Sequence, residues 1–232
     1  MFCENLISKS HPLYDNACLI LNQIVSSDHH CNLYLLFDDS YENKVKLDLP
    51  PPFHIQLNGV TLIRILDSAI NGTLCIYNCY NHTKAMLWNP ATEEIKAIPP
   101  GLGEFSHGFT TDISLHGFGY DHVNDDFKVI QYVFYFSFND CLWDDLTPKS
   151  FFEIYSLQSD SWRKLDFYMP TRHRNIDSEV YFNGMCHWVG KSFGITCVVS
   201  FDLSNDVFFS THLPLESEAP VQSCDINDQW CT

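Results

Sequence analysis

A short unit recurs along this chain of 232 residues, and the recurrence limits the fold more than any single motif does. Asn71-Gly72-Thr73-Leu74-Cys75-Ile76 aligns with Asn183-Gly184-Met185-Cys186-His187-Trp188. Each copy is followed by a strand ending in an aromatic and a polar turn, Leu87-Trp88-Asn89-Pro90-Ala91-Thr92 in one and Ser200-Phe201-Asp202-Leu203-Ser204-Asn205 in the other. Each then closes on a strand and a proline, Ile95 to Pro99 and Val207 to Pro214. The second half appears a third time, from Ile154-Tyr155-Ser156 through Asp160-Ser161-Trp162 to Leu165. The unit is a hairpin: a strand with an aromatic anchor, a turn rich in Asn, Asp and Ser, and a return strand. The anchors Trp88, Tyr155 and Phe201 stand 67 and 46 residues apart. The shorter spacing suits a propeller blade of ~40–50 residues, and the longer one contains an insert at 137–150.

The intervening sequence supports this. Short apolar runs such as Leu33 to Phe37, Leu74 to Tyr77, Lys128 to Phe136 and Cys197 to Leu203 are separated by turn signals. Strands at that density point to an all-β fold, and the repeat selects propeller-like antiparallel blades. The Asn-Gly pairs at 58–59, 71–72 and 183–184 demand tight turns. Residues 3–25 read differently: Leu6, Ile7, Leu13, Leu19, Ile20 and Ile24 recur at roughly helical spacing, so a short N-terminal helical segment is expected.

Charge narrows the function. With 13 Lys plus Arg against 29 Asp plus Glu, the net charge of −16 repels a phosphate backbone and an anionic membrane surface. No nucleic-acid or membrane partner is expected. The first residues lack a signal peptide's basic flank and apolar stretch, and no apolar run approaches ~18 residues. The expected location is cytoplasmic or nuclear. The ten cysteines are scattered among apolar residues, as at Cys75, Cys141 and Cys197, which reads as free buried thiols.

Candidate chemistry is sparse. Cys75 and Cys79 have no second pair at zinc spacing, and His29-His30-Cys31 has no partner motif. Cys186 and His187 alternate faces on a strand and cannot act on each other. Acidic pairs at Asp38-Asp39, Asp125-Asp126 and Asp144-Asp145 read as solvated residues of turns or of the insert. Gly117-Phe118-Gly119-Tyr120-Asp121 reads as a strand that another backbone approaches closely, not as a phosphate loop. No catalytic residue, cofactor or metal site is expected. The alternative class is a β-propeller glycan-binding module or hydrolase, and a hydrolase needs two carboxylates ~5–10 Å apart in one pocket.

Several of these phrases, in this order, resemble the F-box-associated domain of plants, in proteins of the F-box/kelch-repeat and self-incompatibility types. They are Leu87-Trp88-Asn89-Pro90-Ala91-Thr92, Gly117-Phe118-Gly119-Tyr120-Asp121, Asp126-Phe127-Lys128-Val129-Ile130, Glu153-Ile154-Tyr155-Ser156-Leu157 and Val199-Ser200-Phe201-Asp202-Leu203. The resemblance covers about residues 60–214. Glu4-Asn5-Leu6-Ile7-Ser8 with His11-Pro12 is similar to the tail of an F-box. It implies an F-box remnant over 1–25, an F-box-associated β domain over 31–214 and an irregular acidic tail over 215–232. The expectation is a chain cut at both ends, with an incomplete ring of blades. The implied function is non-enzymatic recognition of a protein target for an SCF-type ubiquitin ligase. Skp and cullin subunits are implied as partners only where a full F-box is present. Within the insert, Phe138, Leu142 and Trp143 beside Asp144 and Asp145 form the candidate protein-binding loop, because aromatics among charges are common at interface centres.

Overall fold

The computed structural model describes residues 17–25, 30–37, 43–51, 53, 63–78, 81–105, 110–136, 150–166, 179–192 and 195–213. They form four antiparallel sheets, in each of which strands adjacent in sequence pair with one another. The first sheet holds β1 (Ala17–Val25), β2 (His30–Phe37) and β3 (Asn43–Leu47). The second holds β4 (Ile63–Ile70), β5 (Thr73–Asn78), β6 (Asn81–Asn89) and β7 (Glu94–Ala97). The third holds β8 (Thr110–Asp121), β9 (Asp126–Phe136), β10 (Ser150–Ser156) and β11 (Ser161–Leu165). The fourth holds β12 (Val180–Phe182), β13 (Met185–Ser192), β14 (Ile195–Asp202) and β15 (Val207–His212). A 3-10 turn, Leu102–Phe105, lies between the second and third sheets. The all-β, propeller-like architecture read from the repeat is therefore present, and among the described residues the sheets do not close into a ring.

The sheets stack face to face through three apolar cores. Leu33, Leu35 and Leu47 of the first sheet pack against Ile63, Leu74, Ile76 and Trp88 of the second. Cys75, Ala85 and Leu87 meet Leu115, Phe118, Val129 and Tyr155 of the third. Ile130, Phe152 and Ile154 meet Cys186, Trp188, Val199 and Phe201 of the fourth. The third sheet is thus covered on both faces, which is why β10 is buried without interruption from Phe152 to Tyr155. The first strands β4, β8 and β12 touch one another and mark the inner side of the arc. The Tyr181 N–H donates to Asp67 Oδ2 across that side.

The tight turns behave as the sequence demanded. Asn71 and Gly72 have φ of 49° and 79°, and Asn183 and Gly184 have 51° and 81°. Positive φ at both central positions is the two-residue turn that Asn-Gly favours. The pair at 58–59 lies outside the described residues.

Residues 17–25 correct the helical reading. They form β1, in register with β2 from Ala17 opposite Phe37 to Val25 opposite His30. Three apolar residues at 19, 20 and 24 suit a helix or a strand over so short a span. The ladder to β2 and the packing of Ile20 on the first core decide for the strand. Residues 1–16 lie outside the described part. The glycines at 117 and 119 also need a correction, because side chains and not backbone approach them. A Cβ on Gly119 would lie 2.6 Å from the Tyr181 ring and would strike Leu203, and one on Gly117 would lie 3.0 Å from Cys186 Sγ.

Candidate functional site

In the second, third and fourth sheets the connections alternate between two rims. Hairpins joining first to second and third to fourth strands leave from one rim. Those joining second to third strands, and one sheet to the next, leave from the other.

On the first rim one turn is built four times. Four residues bridge each of the pairs Asn89–Glu94, Asp121–Asp126, Ser156–Ser161 and Asp202–Val207. The side chain opening each turn accepts backbone N–H groups inside it. Asn89 Oδ1 takes Ala91 (3.0 Å) and Thr92 (3.3 Å), and Asp121 Oδ1 takes Val123 (2.9 Å) and Asn124 (3.1 Å). Asp202 Oδ1 takes Ser204 (2.8 Å) and Asn205 (3.2 Å), and Ser156 Oγ takes Ser159 (3.2 Å). The last turn residue is left-handed every time, with φ of 60° at Glu93, 54° at Asp125, 49° at Asp160 and 56° at Asp206. Asx residues suit this turn because their oxygens replace backbone acceptors. Two left-handed acids also tie neighbouring sheets together: Lys96 Nζ meets Asp160 at 2.5 Å, and Arg163 pairs with Asp206.

Asp121 carries more than its turn. It is 0% exposed and receives Lys128 Nζ (2.6 Å), Asn124 Nδ2 (2.7 Å) and Ser204 Oγ (2.6 Å). The same ammonium donates to the Leu203 carbonyl at 2.6 Å, which locks the third sheet to the fourth. Burial pushes the Asp121 carboxyl up, but the donors from Asn124, Lys128 and Ser204 outweigh it and hold the group well below the usual range. A shallow cleft of about 220 Å³ beside this cluster is lined by Asn124, Asp126, Lys128, Gln158 and Arg163. Both of its cations are already paired, so it is a poor anion site. Asp126, expected to be solvated, is instead 4% exposed and accepts the Gln158 N–H at 2.8 Å.

The other rim is uneven. β9 runs 11 residues, against 6 in β5 and 8 in β13. At ~3.3 Å per residue the end of β9 extends roughly 10–16 Å further. Tyr135 of β9 and Phe151 of β10 sit together near this end, ring centroids 5.9 Å apart, with Lys164 Nζ 5.0 Å above Phe151. The connection after β7 braces the third sheet. Trp162 Nε1 donates to the Pro99 carbonyl (2.7 Å), Thr111 Oγ1 to that of Gly103 (3.3 Å), and the Leu102 N–H to Glu153 Oε2 (3.0 Å). Glu153 is 0% exposed and also takes Gln131 Nε2 at 2.5 Å. Burial raises its pKa, opposed by these donors. The chain leaves β9 at Phe136 and returns at Ser150 on this rim. The candidate binding residues Phe138, Leu142, Trp143, Asp144 and Asp145 fall between those points and lie outside the described residues, as does Cys141.

The seam between the third and fourth sheets hides a histidine that sequence reasoning missed. The ladder slips between Leu115 and Gly117, so His116 occupies a bulge in β8. Its ring is 3% exposed and edged by Tyr132, Phe152 and Trp188 at 5.7, 5.2 and 5.7 Å. Neither ring nitrogen, nor the Trp188 indole N–H, has a hydrogen-bond partner. Burial pushes the His116 pKa down to about 3.

No nucleophile–base pair assembles from the sequence candidates. Cys186 is buried, and His187, on the opposite face, pairs with Ser200 Oγ at 2.8 Å. Cys75 and Cys197 are buried free thiols, as read, and Cys186 is a third. Burial raises the Cys75 and Cys186 thiols far above their ordinary value. Among the described residues no group of three or more His, Cys, Asp or Glu is placed to hold a metal ion, and no helix is long and apolar enough to cross a membrane.

Comparison with known proteins agrees with this geometry. Two Arabidopsis thaliana proteins with F-box protein names are 26% identical over 156 residues and 28% identical over 222 residues. The alignments cover 66% and 90% of this chain but only 38% and 51% of those relatives. An Arabidopsis F-box/kelch-repeat protein is 28% identical over 142 residues, covering 58% of this chain and 35% of its own length. The chain thus spans about a third to a half of the relatives it matches. The model of the F-box associated beta propeller domain matches residues 22–228, nearly the whole length, and this chain belongs to that family.

Proposed function

We propose that this chain is the target-recognition part of an F-box protein, a non-catalytic module that presents a protein to an SCF-type ubiquitin ligase. Its membership of the F-box associated beta propeller family over residues 22–228 carries the reading. The titratable groups support it: Asp121 and Glu153, buried carboxylates that a hydrolase would need in an open pocket, are instead bonded into sheet-to-sheet braces. In this reading the target docks on the rim from which the third sheet projects, and Phe138, Leu142, Trp143, Asp144 and Asp145 make the contact. Skp-family and cullin subunits are its partners only where a full F-box is present. It works in the cytoplasm or nucleus.

Affinity purification of the tagged chain from plant cells, with mass spectrometry of what accompanies it, tests this. Recovery of a specific target protein is expected, and recovery of chaperones and proteasome alone counts against the reading. Replacing Trp143 and Asp144 together with Ala should weaken that partner's binding at least tenfold while the far-ultraviolet spectrum persists. Unchanged binding removes the loop from the site.

A further inference from the structure

The cleft at the turn rim is a poor place for an anion, and the charges that make it so favour a cation. Register puts Lys128, Ser156, Ser161 and Arg163 on one face of the third sheet, the face that Ile130 and Ile154 turn towards the fourth. The cleft lies at the rim end of that covered face, in the seam that Lys128 and Arg163 stitch to Leu203 and Asp206. Each of these cations has its own carboxylate: Lys128 is held by Asp121, and Arg163 by Asp206. Asp126, which also lines the cleft, has no cation. It is 4% exposed, and its bond is made at Oδ1, from the Gln158 N–H at 2.8 Å. Oδ2 accepts no hydrogen bond among the described residues and is not sealed from solvent.

Three carboxylates therefore stand against two cations, and the negative charge left over sits on a side chain more than nine-tenths buried in the cleft wall. A buried carboxylate without a charged partner is costly, and a cation brought from outside relieves that cost. The neighbouring groups select the kind of cation. Ser156 Oγ accepts one N–H, from Ser159, and keeps a lone pair. Asn124 turns its Nδ2 to Asp121, which leaves its carbonyl oxygen as an acceptor. An ammonium has three donors and no fixed plane, which suits one carboxylate oxygen and two neutral acceptors. A guanidinium fork pairs best with both oxygens of a carboxylate, and Gln158 already holds one. The volume of about 220 Å³, roughly that of seven waters, takes one long side chain. No aromatic lines the cleft, so a sugar ring or a base has nothing to stack on.

We propose that this cleft is a lysine-binding subsite, in which the side-chain ammonium of a protein partner meets Asp126 Oδ2. The partner presents a basic segment, drawn in by the net charge of −16. The contact breaks no turn cap and no sheet-to-sheet lock, because it uses the oxygen that these leave over. It stands apart from the proposed target loop, which leaves from the opposite rim, so the failure of either leaves the other intact.

Nuclear magnetic resonance of the isotope-labelled full chain, titrated with the peptide acetyl-Gly-Lys-Gly-amide, tests this. The backbone amides of Asn124, Gln158, Ser159 and Ser161 should shift with a Kd of about 1–10 mM, as one anchored side chain gives. The arginine peptide should bind about threefold more weakly. Peptides with acetyl-lysine or norleucine in its place keep the stem, lose the charge and should give no shift. Asp126→Asn keeps the acceptor for the Gln158 N–H and should weaken the lysine peptide by about tenfold or more. The peptide series on wild type decides the matter even where that variant folds poorly. Equal shifts with the norleucine peptide, an unchanged Kd in Asp126→Asn, or no shift by about 20 mM overturns the proposal. Movement of the same amides by inorganic phosphate would assign the cleft to an anion and overturn it as well.

Discussion

Replacing His116 with Phe should make the fold markedly less sensitive to acid, and the size of the effect follows from where the ring sits. The imidazole is 3% exposed in an aromatic cage, and neither nitrogen has a partner. Protonation there buries an uncompensated cation, so the folded pKa falls to about 3 from an ordinary 6.5. A depressed folded value means that neutral histidine supports the fold. Its contribution is complete above pH 6.5 and is lost progressively as pH falls towards 3. Linkage for one such group gives a loss of about 2 kcal/mol between pH 7.5 and pH 5, close to 1.4 kcal/mol for each further unit. His116→Phe keeps a flat ring among Tyr132, Phe152 and Trp188 and removes the titration. It also removes two buried unsatisfied nitrogens, so at neutral pH the variant should match or exceed wild type. Urea denaturation of both proteins at pH 7.5 and pH 5 measures the double difference, in which the carboxylates common to both cancel. The variant should lose about 2 kcal/mol less than wild type on acidification. Equal losses would refute the reasoning, because His116 would then have access to solvent or to a proton acceptor in the folded state.

The buried ion pair makes a second test. Lys128→Met leaves Asp121 charged and buried without its ammonium and should cost about 3–5 kcal/mol in urea denaturation; a loss below 1 kcal/mol would mean that Asn124 and Ser204 suffice. The glycines separate backbone strain from crowding. Gly184→Ala adds a Cβ whose nearest neighbour is His122 Cδ2 at 3.9 Å, so only its φ of 81° is penalised, about 1–2 kcal/mol. Gly119→Ala instead meets the Tyr181 ring and Leu203, and overpacking of about 1–3 kcal/mol should be relieved by adding Leu203→Ala only in this second case.

Local chemistry was legible in the sequence, and contacts between sheets were not. The Asn-Gly turns could be read because few other residues accept two successive left-handed positions. Three of the four rim turns, opened by Asn89, Ser156 and Asp202, could be read because each follows the aromatic near the end of a third strand, Trp88, Tyr155 or Phe201. The fourth, from Asp121 to Asp126, was read as a turn at Asp125-Asp126 but not as a copy of the others, because it joins first to second strands, one hairpin out of step. Asp126 looked solvated since its acceptor role depends on Gln158, 32 residues away. β1 was misread because apolar spacing over nine residues does not separate strand from helix until β2 supplies the ladder. His116 could not be found at all. Its burial depends on Phe152 of β10 and Trp188 of the fourth sheet, neither of which is near it in the chain, and the slip that puts Gly117 on the same face leaves no mark in the sequence.

The two rims divide the labour of the molecule. On the turn rim the acids bond inward or sideways: Asp121 to Lys128, Asp160 to Tyr155 and Lys96, Asp206 to Arg163. A partner that recruited these groups would have to break turn caps or sheet-to-sheet locks, each lost hydrogen bond to a charged group costing about 1.5–3 kcal/mol. On the opposite rim the chain leaves β9 at Phe136 and returns at Ser150. The strands of the third sheet are held from the side by Glu153, Trp162 and Thr111. A connection between strand ends tolerates insertion and substitution better than the strands it joins, so a family could vary its targets at that point without redesigning the sheets. This is the physical reason for placing recognition on the projecting end of the third sheet, whatever the target proves to be.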